Sequence, residues 1–304
     1  MYKIIRKVVA SMIIGAVMCS LGGCAKKITV VDEIPSEYRQ SIDNGGTIEL
    51  ITYPSKAYYG NMEDTEKQAY VYLPAGYDET KQYNVMYLLH GIGGDIWEWG
   101  MTGDNSDIKK IMDNLIANGE IEPFIVVTPN GRSAVDHGMN SDSNAFYEFG
   151  KELRYDLIPY IDEHYATYAD YSEGYDVTEA RDHRAVGGLS MGAMQTTNIA
   201  LCECLDMFSY FGAFSSCPTT YTAVEIATHL KDFPDYDIKY FYNLCGTEDG
   251  IAISHHTNAV EGLCDLTDKL TDGKNFTWQT RSGGHDFNIW ILGFYNFAQI
   301  AFTQ

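Results

Sequence analysis

The sequence predicts an α/β protein with a mostly parallel central sheet and helices on both faces. Short apolar runs of strand length alternate with segments of helical length from residue 85 to the last residue. Polar or glycine-rich loops follow several of these runs, at the edge where the carboxyl ends of parallel strands meet. With 304 residues, 45% of them hydrophobic, the chain can bury a sizeable core, and we expect one domain over residues 45–304.

The first half of the chain supplies four predicted strands and two predicted helices. The strands cover residues 45–53, 68–74, 83–89 and 124–128. The third is apolar almost throughout, which is typical of a strand covered on both faces. An amphipathic helix is predicted over residues 107–117, and a longer one over 145–165, where apolar residues recur every three or four positions.

The second half repeats the alternation of strand and helix. The predicted strands cover residues 183–187, 207–215, 239–244 and 276–280. The predicted helices cover residues 191–204, 221–230, most of 253–270, and a last segment ending at about 297. Asp286 is placed to cap that last helix through its side chain.

Residues 188–192, Gly-Leu-Ser-Met-Gly, have the form of a nucleophile elbow between a strand and a helix. In such a turn the serine, here Ser190, has a strained backbone, and both glycines are needed because a side chain would collide with neighbouring backbone. The alternative is a tight glycine turn with an exposed serine, and this alternative weakens if an oxyanion loop, an acid and a histidine follow other strands.

The loop at residues 90–95, His-Gly-Ile-Gly-Gly-Asp, directly follows a buried strand. A glycine-rich loop in this position can present a backbone N–H to an oxyanion, so we assign the two donors to the amides of Ile92 and Met191. His90 is expected to hydrogen-bond the turn. Trp97 and Trp99 follow, and they either wall a substrate pocket or cover the sheet.

Two further loops supply an acid and a base. Residues 245–250 form a tight turn holding Glu248 and Asp249, and residues 281–287 hold His285 between glycine and aspartate after the last strand. The order Ser190, Asp249, His285 is that of nucleophile, acid and base in α/β-hydrolases. We assign the acid to Asp249, while Glu248 stays open as an alternative. His255 and His256 lie near a helix start and are expected at the surface.

The formal net charge of −21 argues against nucleic-acid binding, which needs basic surface against phosphate. No cysteine–histidine cluster has the spacing of a zinc site, and no glycine loop matches a phosphate or dinucleotide fingerprint. The sequence therefore predicts neither a metal nor a cofactor.

Residues 1–23 have the features of a bacterial export signal. Three positive residues precede an apolar run over residues 8–21, and Leu-Gly-Gly-Cys at 21–24 is similar to a lipobox. We therefore expect lipidation at Cys24, a tether with little structure of its own over residues 24–44, and contact with the membrane only through the lipid. The expected location is outside the cell, either anchored at the outer face of the membrane or secreted.

These motifs together resemble one enzyme family. The matching segments are residues 72–74, 87–94, 188–192, 246–249 and 284–286. They are similar to the putative-esterase, esterase D-like family of the α/β-hydrolase superfamily, in its branch of feruloyl esterases and acetylxylan esterases (carbohydrate esterase family one). The resemblance covers nearly all of residues 47–297. It implies a cofactor-independent serine hydrolase, with Ser190, Asp249 and His285 as its triad.

The resemblance also implies a substrate, feruloylated or acetylated xylan. The first hypothesis is a lipid-anchored feruloyl esterase that removes hydroxycinnamoyl groups, and the second is an acetylxylan esterase or another short-acyl carbohydrate esterase. An S-formylglutathione hydrolase conflicts with the export signal. An envelope acyltransferase and a glycan-binding lipoprotein without activity are the remaining alternatives, although a binding protein has no need of a strained serine.

Overall fold

The computed structural model describes residues 30–303, so the predicted export signal and Cys24 lie outside the described residues. One eight-stranded sheet organises the described chain. Its strands are β1 (Thr47–Lys56), β2 (Asp64–Leu73), β3 (Asn84–Leu89), β4 (Phe124–Pro129), β5 (Arg184–Leu189), β6 (Tyr210–Phe214), β7 (Tyr240–Gly246) and β8 (Phe276–Arg281). The order across the sheet is β1-β2-β4-β3-β5-β6-β7-β8. The β1–β2 and β2–β4 pairs are antiparallel and all other neighbours are parallel, so the predicted fold class is confirmed.

The helices connect the parallel strands, except the last one, which follows β8. They are α1 (Asp107–Ala117), α2 (Phe149–Glu152), α3 (Ile158–His164), α4 (Met191–Met194), α5 (Ala223–His229), α6 (Ile253–Val260), α7 (Leu263–Leu266) and α8 (Phe287–Ile300). π-helical turns join α2 to α3 and extend α4 to Leu201. Within residues 30–303 no helix is both long enough and apolar enough to cross a bilayer.

Helix boundaries differ from the predicted ones where local geometry intervenes. The segment predicted as one helix over 145–165 begins with a 3₁₀ turn, Ser143–Glu148. The helix predicted over most of 253–270 is split, because Gly262 has a φ of 72° and opens a separate short helix. The cap predicted at Asp286 is present, since its side chain accepts a hydrogen bond from the amide of Asn288.

Two apolar clusters cover the two faces of the sheet. On β3, Val85 and Leu89 belong to the cluster that includes Phe149 of α2. The intervening Leu88 belongs to the opposite cluster, which includes Phe294 of α8. Because successive strand residues point to opposite faces, a strand buried on both sides must be apolar throughout, as predicted for this segment.

The described part of the predicted tether, residues 30–44, differs from the prediction because it is packed onto the domain. Ile34 and Tyr38 are buried in the same cluster as α8. The backbone amide of Val31 donates to Oδ1 of Asn296, 3.0 Å away. The segment is mostly polar, so its sequence did not indicate that Ile34 and Tyr38 would be buried. They pack against α8, which is buried along almost its whole length and therefore needs apolar contacts on its outer side.

Candidate active site

The nucleophile candidate Ser190 stands between the end of β5 and the start of α4. Its φ of 52° and ψ of −111° lie outside the regions that residues with side chains favour. Its backbone amide donates to the carbonyl oxygen of Phe214, 2.9 Å away on the neighbouring strand. The turn is therefore held in its strained conformation by the sheet.

The two glycines of the elbow are required by close packing of backbone. A Cβ on Gly188 would lie 2.5 Å from the carbonyl carbon and oxygen of Gly192. A Cβ on Gly192 would lie 2.4 Å from the carbonyl oxygen of Leu89. Both distances are well inside van der Waals contact, so the steric reason predicted for these glycines is the one the structure shows.

Three predicted site residues from separate loops meet at the carboxyl edge of the sheet. Oγ of Ser190 lies 3.0 Å from Nε2 of His285. Nδ1 of His285 lies 2.8 Å from Oδ2 of Asp249. Ser190 follows β5, Asp249 follows β7 and His285 follows β8, all within the parallel run β5-β6-β7-β8. Parallel strands thus bring together side chains that are 36 and 95 positions apart.

The carboxylate of Asp249 is fully buried. Its Oδ1 accepts from the backbone amides of Ile251 at 3.1 Å and Ala252 at 2.8 Å. Burial opposes ionisation, but the hydrogen bonds from His285 and Ala252 prevail and hold the pKa of Asp249 below its usual value. The carboxylate is therefore charged at neutral pH and aimed at the histidine ring.

Glu248, the open alternative for the acid, points elsewhere. Its exposed carboxylate accepts a hydrogen bond from the backbone amide of Gly283, and this bond lowers the pKa of Glu248. Gly283 lies two positions before His285, so Glu248 ties the acid turn to the histidine loop. The geometry favours Asp249 as the partner of the histidine.

The side chain of Arg132 binds backbone carbonyl oxygens of the glycine-rich loop. The guanidinium of Arg132 donates through Nη1 to the carbonyl oxygen of Gly94 at 3.0 Å and through Nη2 to that of Ile92. The amide of Gly91 donates to Oε2 of Glu98 at 2.6 Å. These bonds fix the carbonyl groups of Ile92 and Gly94 and the amide of Gly91.

The two amides predicted as oxyanion donors are available. Among residues 30–303 neither the N–H of Ile92 nor that of Met191 has a hydrogen-bond acceptor. Met191 stands at the first position of α4, where backbone N–H groups have no partner within the helix. The arrangement leaves two donors near Ser190 for a ligand oxygen.

His90 supports this loop as a neutral ring. Its Nε2 accepts from the amide of Gly131 at 3.0 Å, so its Nδ1 carries the proton and donates to the carbonyl oxygen of Gly91 at 2.7 Å. Burial lowers the pKa of His90 to about 4. The structural role expected from the sequence is the one observed.

The two tryptophans have different environments. Trp99 is buried, donates from its indole nitrogen to the carbonyl oxygen of Leu89 at 3.0 Å, and packs on Phe214 and Phe294. It therefore covers the sheet, which is one of the two roles that the sequence left open, and it also forms part of the wall of a cleft. Trp97 is 47% exposed, and a contact with substrate stays a prediction for this residue.

Sequence reasoning missed Arg132 and Glu98 as supports of the glycine-rich loop. Arg132 lies in the polar stretch between β4 and the following helical segment, and no motif marks an arginine that binds carbonyl oxygens. Within the described residues no group of three or more histidine, cysteine or acidic side chains is arranged to hold a metal ion.

A sheet of this order with a serine, a histidine and an aspartate hydrogen-bonded at its carboxyl edge defines a serine hydrolase of the α/β-hydrolase class. The profile of the family described as putative esterase matches residues 61–294. The chain belongs to this putative esterase family.

Individual relatives agree with this membership. The chain is 39% identical over 145 residues to endo-1,4-beta-xylanase Y of Acetivibrio thermocellus, covering 48% of this chain and 12% of the relative. It is 36% identical over 228 residues to an endo-1,4-beta-xylanase/feruloyl esterase of Xylanibacter ruminicola, covering 71% of this chain and 28% of the relative. The chain thus spans little more than a quarter, at most, of these curated relatives.

A solved structure covers more of the fold. The feruloyl esterase module from Clostridium thermocellum, determined as a serine-to-alanine variant complexed with sinapinate, superposes with a TM-score of 0.73. The two chains are 26% identical, and the match covers 91% of this chain and 95% of the module.

Proposed function

We propose that this protein is a serine esterase that removes ferulic acid and related hydroxycinnamic acids from xylan of the plant cell wall. The observation that carries the proposal is the continuous hydrogen-bonded line from Ser190 through His285 to the buried Asp249. The feruloyl esterase module that binds sinapinate, a hydroxycinnamate, supports the acyl group. The relatives named as xylanases support the polysaccharide.

The catalytic cycle follows from the protonation states. Nε2 of His285 accepts the proton of Ser190 as Oγ attacks the ester carbonyl carbon. Asp249 stays ionised and stabilises the imidazolium that forms. The imidazolium then gives its proton to the departing sugar oxygen as the carbon–oxygen bond breaks, which leaves a feruloyl group on Oγ. Water, deprotonated by His285, hydrolyses this acyl-enzyme and restores the serine.

The amides of Ile92 and Met191 bind the oxyanion of the tetrahedral intermediate. A preorganised donor of this kind typically contributes about 2.7–4 kcal/mol to transition-state stabilisation. Arg132 and Glu98 act on the loop that carries Ile92, so they are positioning residues.

An apolar patch beside the nucleophile supports an aromatic acyl group. Met191, Met194, Phe146 and Cys217 form a small cluster separate from the two core clusters. The hydroxyl of Tyr147 donates to Oγ1 of Thr219 at 2.8 Å and joins the two segments next to this cluster. Phe146 and Met194 are fully buried, so the edge of the cluster at Met191 and Cys217 is the apolar surface that a cinnamoyl ring would contact and that an acetyl group does not need.

We also propose that the protein is exported and lipidated at Cys24, on the strength of the lipobox-like residues 21–24. Cells expressing the full chain should incorporate labelled palmitate into the protein, and Cys24→Ser should abolish incorporation. Equal labelling of the two chains would overturn lipidation at this residue.

The substrate is tested by measuring kcat/KM on methyl ferulate, p-nitrophenyl acetate and acetylated xylan. The expected result is a strong preference for methyl ferulate, with no turnover by Ser190→Ala. Activity confined to acetyl esters would replace the feruloyl group by an acetyl group while retaining the triad. A folded wild-type protein with no activity on any ester would contradict the proposed function.

A further inference from the structure

A cleft of about 440 Å³ lies beside the candidate triad, between the segment that follows the glycine-rich loop and the start of α8. Its volume is within the range of small-molecule sites, about 300–1,000 Å³. Its walls are formed by Arg39, Glu98, Trp99, Gly100, Asn105, Ser106, Asp107, Phe287, Asn288 and Ile291.

The glycine-rich loop separates the cleft from the nucleophile. A Cβ built on Gly91 would lie 3.4 Å from Cβ of Ser190 and 3.5 Å from Oε2 of Glu98. Glu98, a wall residue, is therefore separated from Ser190 by little more than the backbone of the glycine-rich loop.

The cleft also lies on the histidine side of the nucleophile. Phe287, a wall residue, follows His285 by two positions, and both rings pack edge to face on Trp290 with centroid distances of 5.1 and 5.0 Å. In ester hydrolysis the imidazolium must deliver its proton to the oxygen that departs with the alcohol. The alcohol part of the substrate must consequently lie next to His285, on the side where Phe287 begins α8 and forms a wall of the cleft.

We propose that this cleft binds the sugar part of the ester, the neutral carbohydrate that carries the acyl group. The proposal rests on the proposed function, because it concerns the leaving group of the same reaction. It assigns the two parts of the substrate to different walls, with the acyl group on the side of Met191 and the sugar on the side of α8.

The wall chemistry suits a neutral polyhydroxylated ring. Phe287 is 40% exposed and offers an apolar face for the C–H surface of a sugar. Asn288 exposes a side-chain amide that can donate to and accept from hydroxyl groups, and Asn105, whose Oδ1 accepts from Lys110 at 2.7 Å, exposes its amide N–H groups. Of the charged wall residues, Arg39 pairs with Asp107, with Nη1 2.9 Å from Oδ2, and the carboxylate of Glu98 accepts a hydrogen bond from the backbone amide of Gly91. A neutral ligand therefore fits better than a charged one.

Arg39 brings a residue from outside the part matched by the family profile into the wall of the cleft. It belongs to the packed segment 30–44, which precedes the part matched by the family profile, residues 61–294. The salt bridge from Arg39 to Asp107 at the start of α1 fixes this segment as one rim of the cleft. The N-terminal segment thus takes part in recognition of the sugar.

The test compares two esters that share an acyl group. The measured quantity is the ratio of kcat/KM on a feruloylated arabinoxylo-oligosaccharide to kcat/KM on methyl ferulate, whose alcohol is too small to fill the cleft. Phe287→Ala and Asn288→Ala should each lower this ratio about tenfold, the equivalent of about 1.4 kcal/mol. Tyr155→Ala, an exposed aromatic residue outside the cleft walls, is the matched control and should keep the wild-type ratio.

A second measurement separates this proposal from the proposed function. Calorimetric titration of Ser190→Ala with unesterified xylotriose should detect binding that the additional change Asn288→Ala weakens and Tyr155→Ala does not. An unchanged ratio in both cleft variants, or xylotriose binding that does not respond to Asn288→Ala, would overturn the cleft as the sugar site. If the wild type hydrolyses neither ester, the proposed function fails, and the titration alone decides whether the cleft binds sugar.

Discussion

Oδ2 of Asp249 lies 2.8 Å from Nδ1 of His285, while the adjacent Glu248 binds the backbone amide of Gly283 instead. Two consecutive carboxylates on one turn are thus separated in function by their direction. One orients the histidine ring and the other fixes the loop on which that ring is carried. Mutation of each carboxylate should therefore have a different effect.

Asp249→Asn should reduce kcat by about 10⁴-fold, because an amide in this position favours the wrong histidine tautomer. Glu248→Gln should cost at most a few-fold, since its side-chain carbonyl can still accept from Gly283. Steady-state kinetics on p-nitrophenyl acetate measure both. A larger loss in Glu248→Gln than in Asp249→Asn would assign the acid to Glu248.

Backbone strain at Ser190 predicts a difference between two inactive variants. Ser190→Gly and Ser190→Ala should both lose hydrolysis, but only glycine relieves the φ of 52°. The free energy of unfolding should be higher for the glycine variant by about 1 kcal/mol, measured by urea denaturation. Equal stability of the two variants would show that the elbow stores no strain.

Arg132→Lys should lower kcat by about 100-fold with little change in KM. An ammonium group cannot hold the carbonyl oxygens of Ile92 and Gly94 together, and the oxyanion donor of the loop would lose its position. Arg154→Lys is the matched control, since Arg154 pairs with Asp206 away from the loop. A raised KM with normal kcat in Arg132→Lys would indicate a role in substrate binding instead.

His256 predicts a dependence of stability on pH. The residue is fully buried, neither ring nitrogen has a hydrogen-bond partner among the described residues, and burial lowers the pKa of His256 to about 4. The unfolded chain takes up a proton near pH 6.5, which the folded protein does not bind until about pH 4. Protonation therefore favours unfolding as the pH falls through this window.

His256→Leu removes this contribution. Between pH 7.5 and 5.0 the variant should lose about 2 kcal/mol less of its unfolding free energy than the wild type does. The measurement at pH 7.5, where the wild-type ring is neutral in both states, is the internal control for packing. Parallel pH profiles for the two proteins would contradict a buried neutral histidine.

The positions of the strands along the chain and the residues of the site could be predicted because each depends on local pattern. A run such as residues 83–89 is apolar at every position only if both faces are buried. The glycines around Ser190 mark a turn where backbone segments touch. The expected separation of Glu248 from Asp249 also follows from geometry, since consecutive side chains on a turn diverge.

What could not be predicted depends on contacts between distant segments. His256 is expected at the surface from its position near a helix start, yet it is fully buried, with Asp249 close enough to act on its charge. Arg132 supports a loop 40 positions earlier through backbone carbonyls, which leave no trace in the sequence. Tyr38 anchors the N-terminal segment as a single aromatic residue in a polar stretch.

The antiparallel strand β1 lies before the first residue matched by the family profile, at the outer edge of the sheet. Its ten residues pair along the whole of β2. A truncated protein that begins at residue 61 would lack β1 and expose the unpaired backbone of β2. Another chain could then pair with β2 and promote aggregation. The natural boundary for a soluble, monodisperse preparation therefore precedes residue 34, because Ile34 and Tyr38 are the apolar contacts that seal the outside of α8.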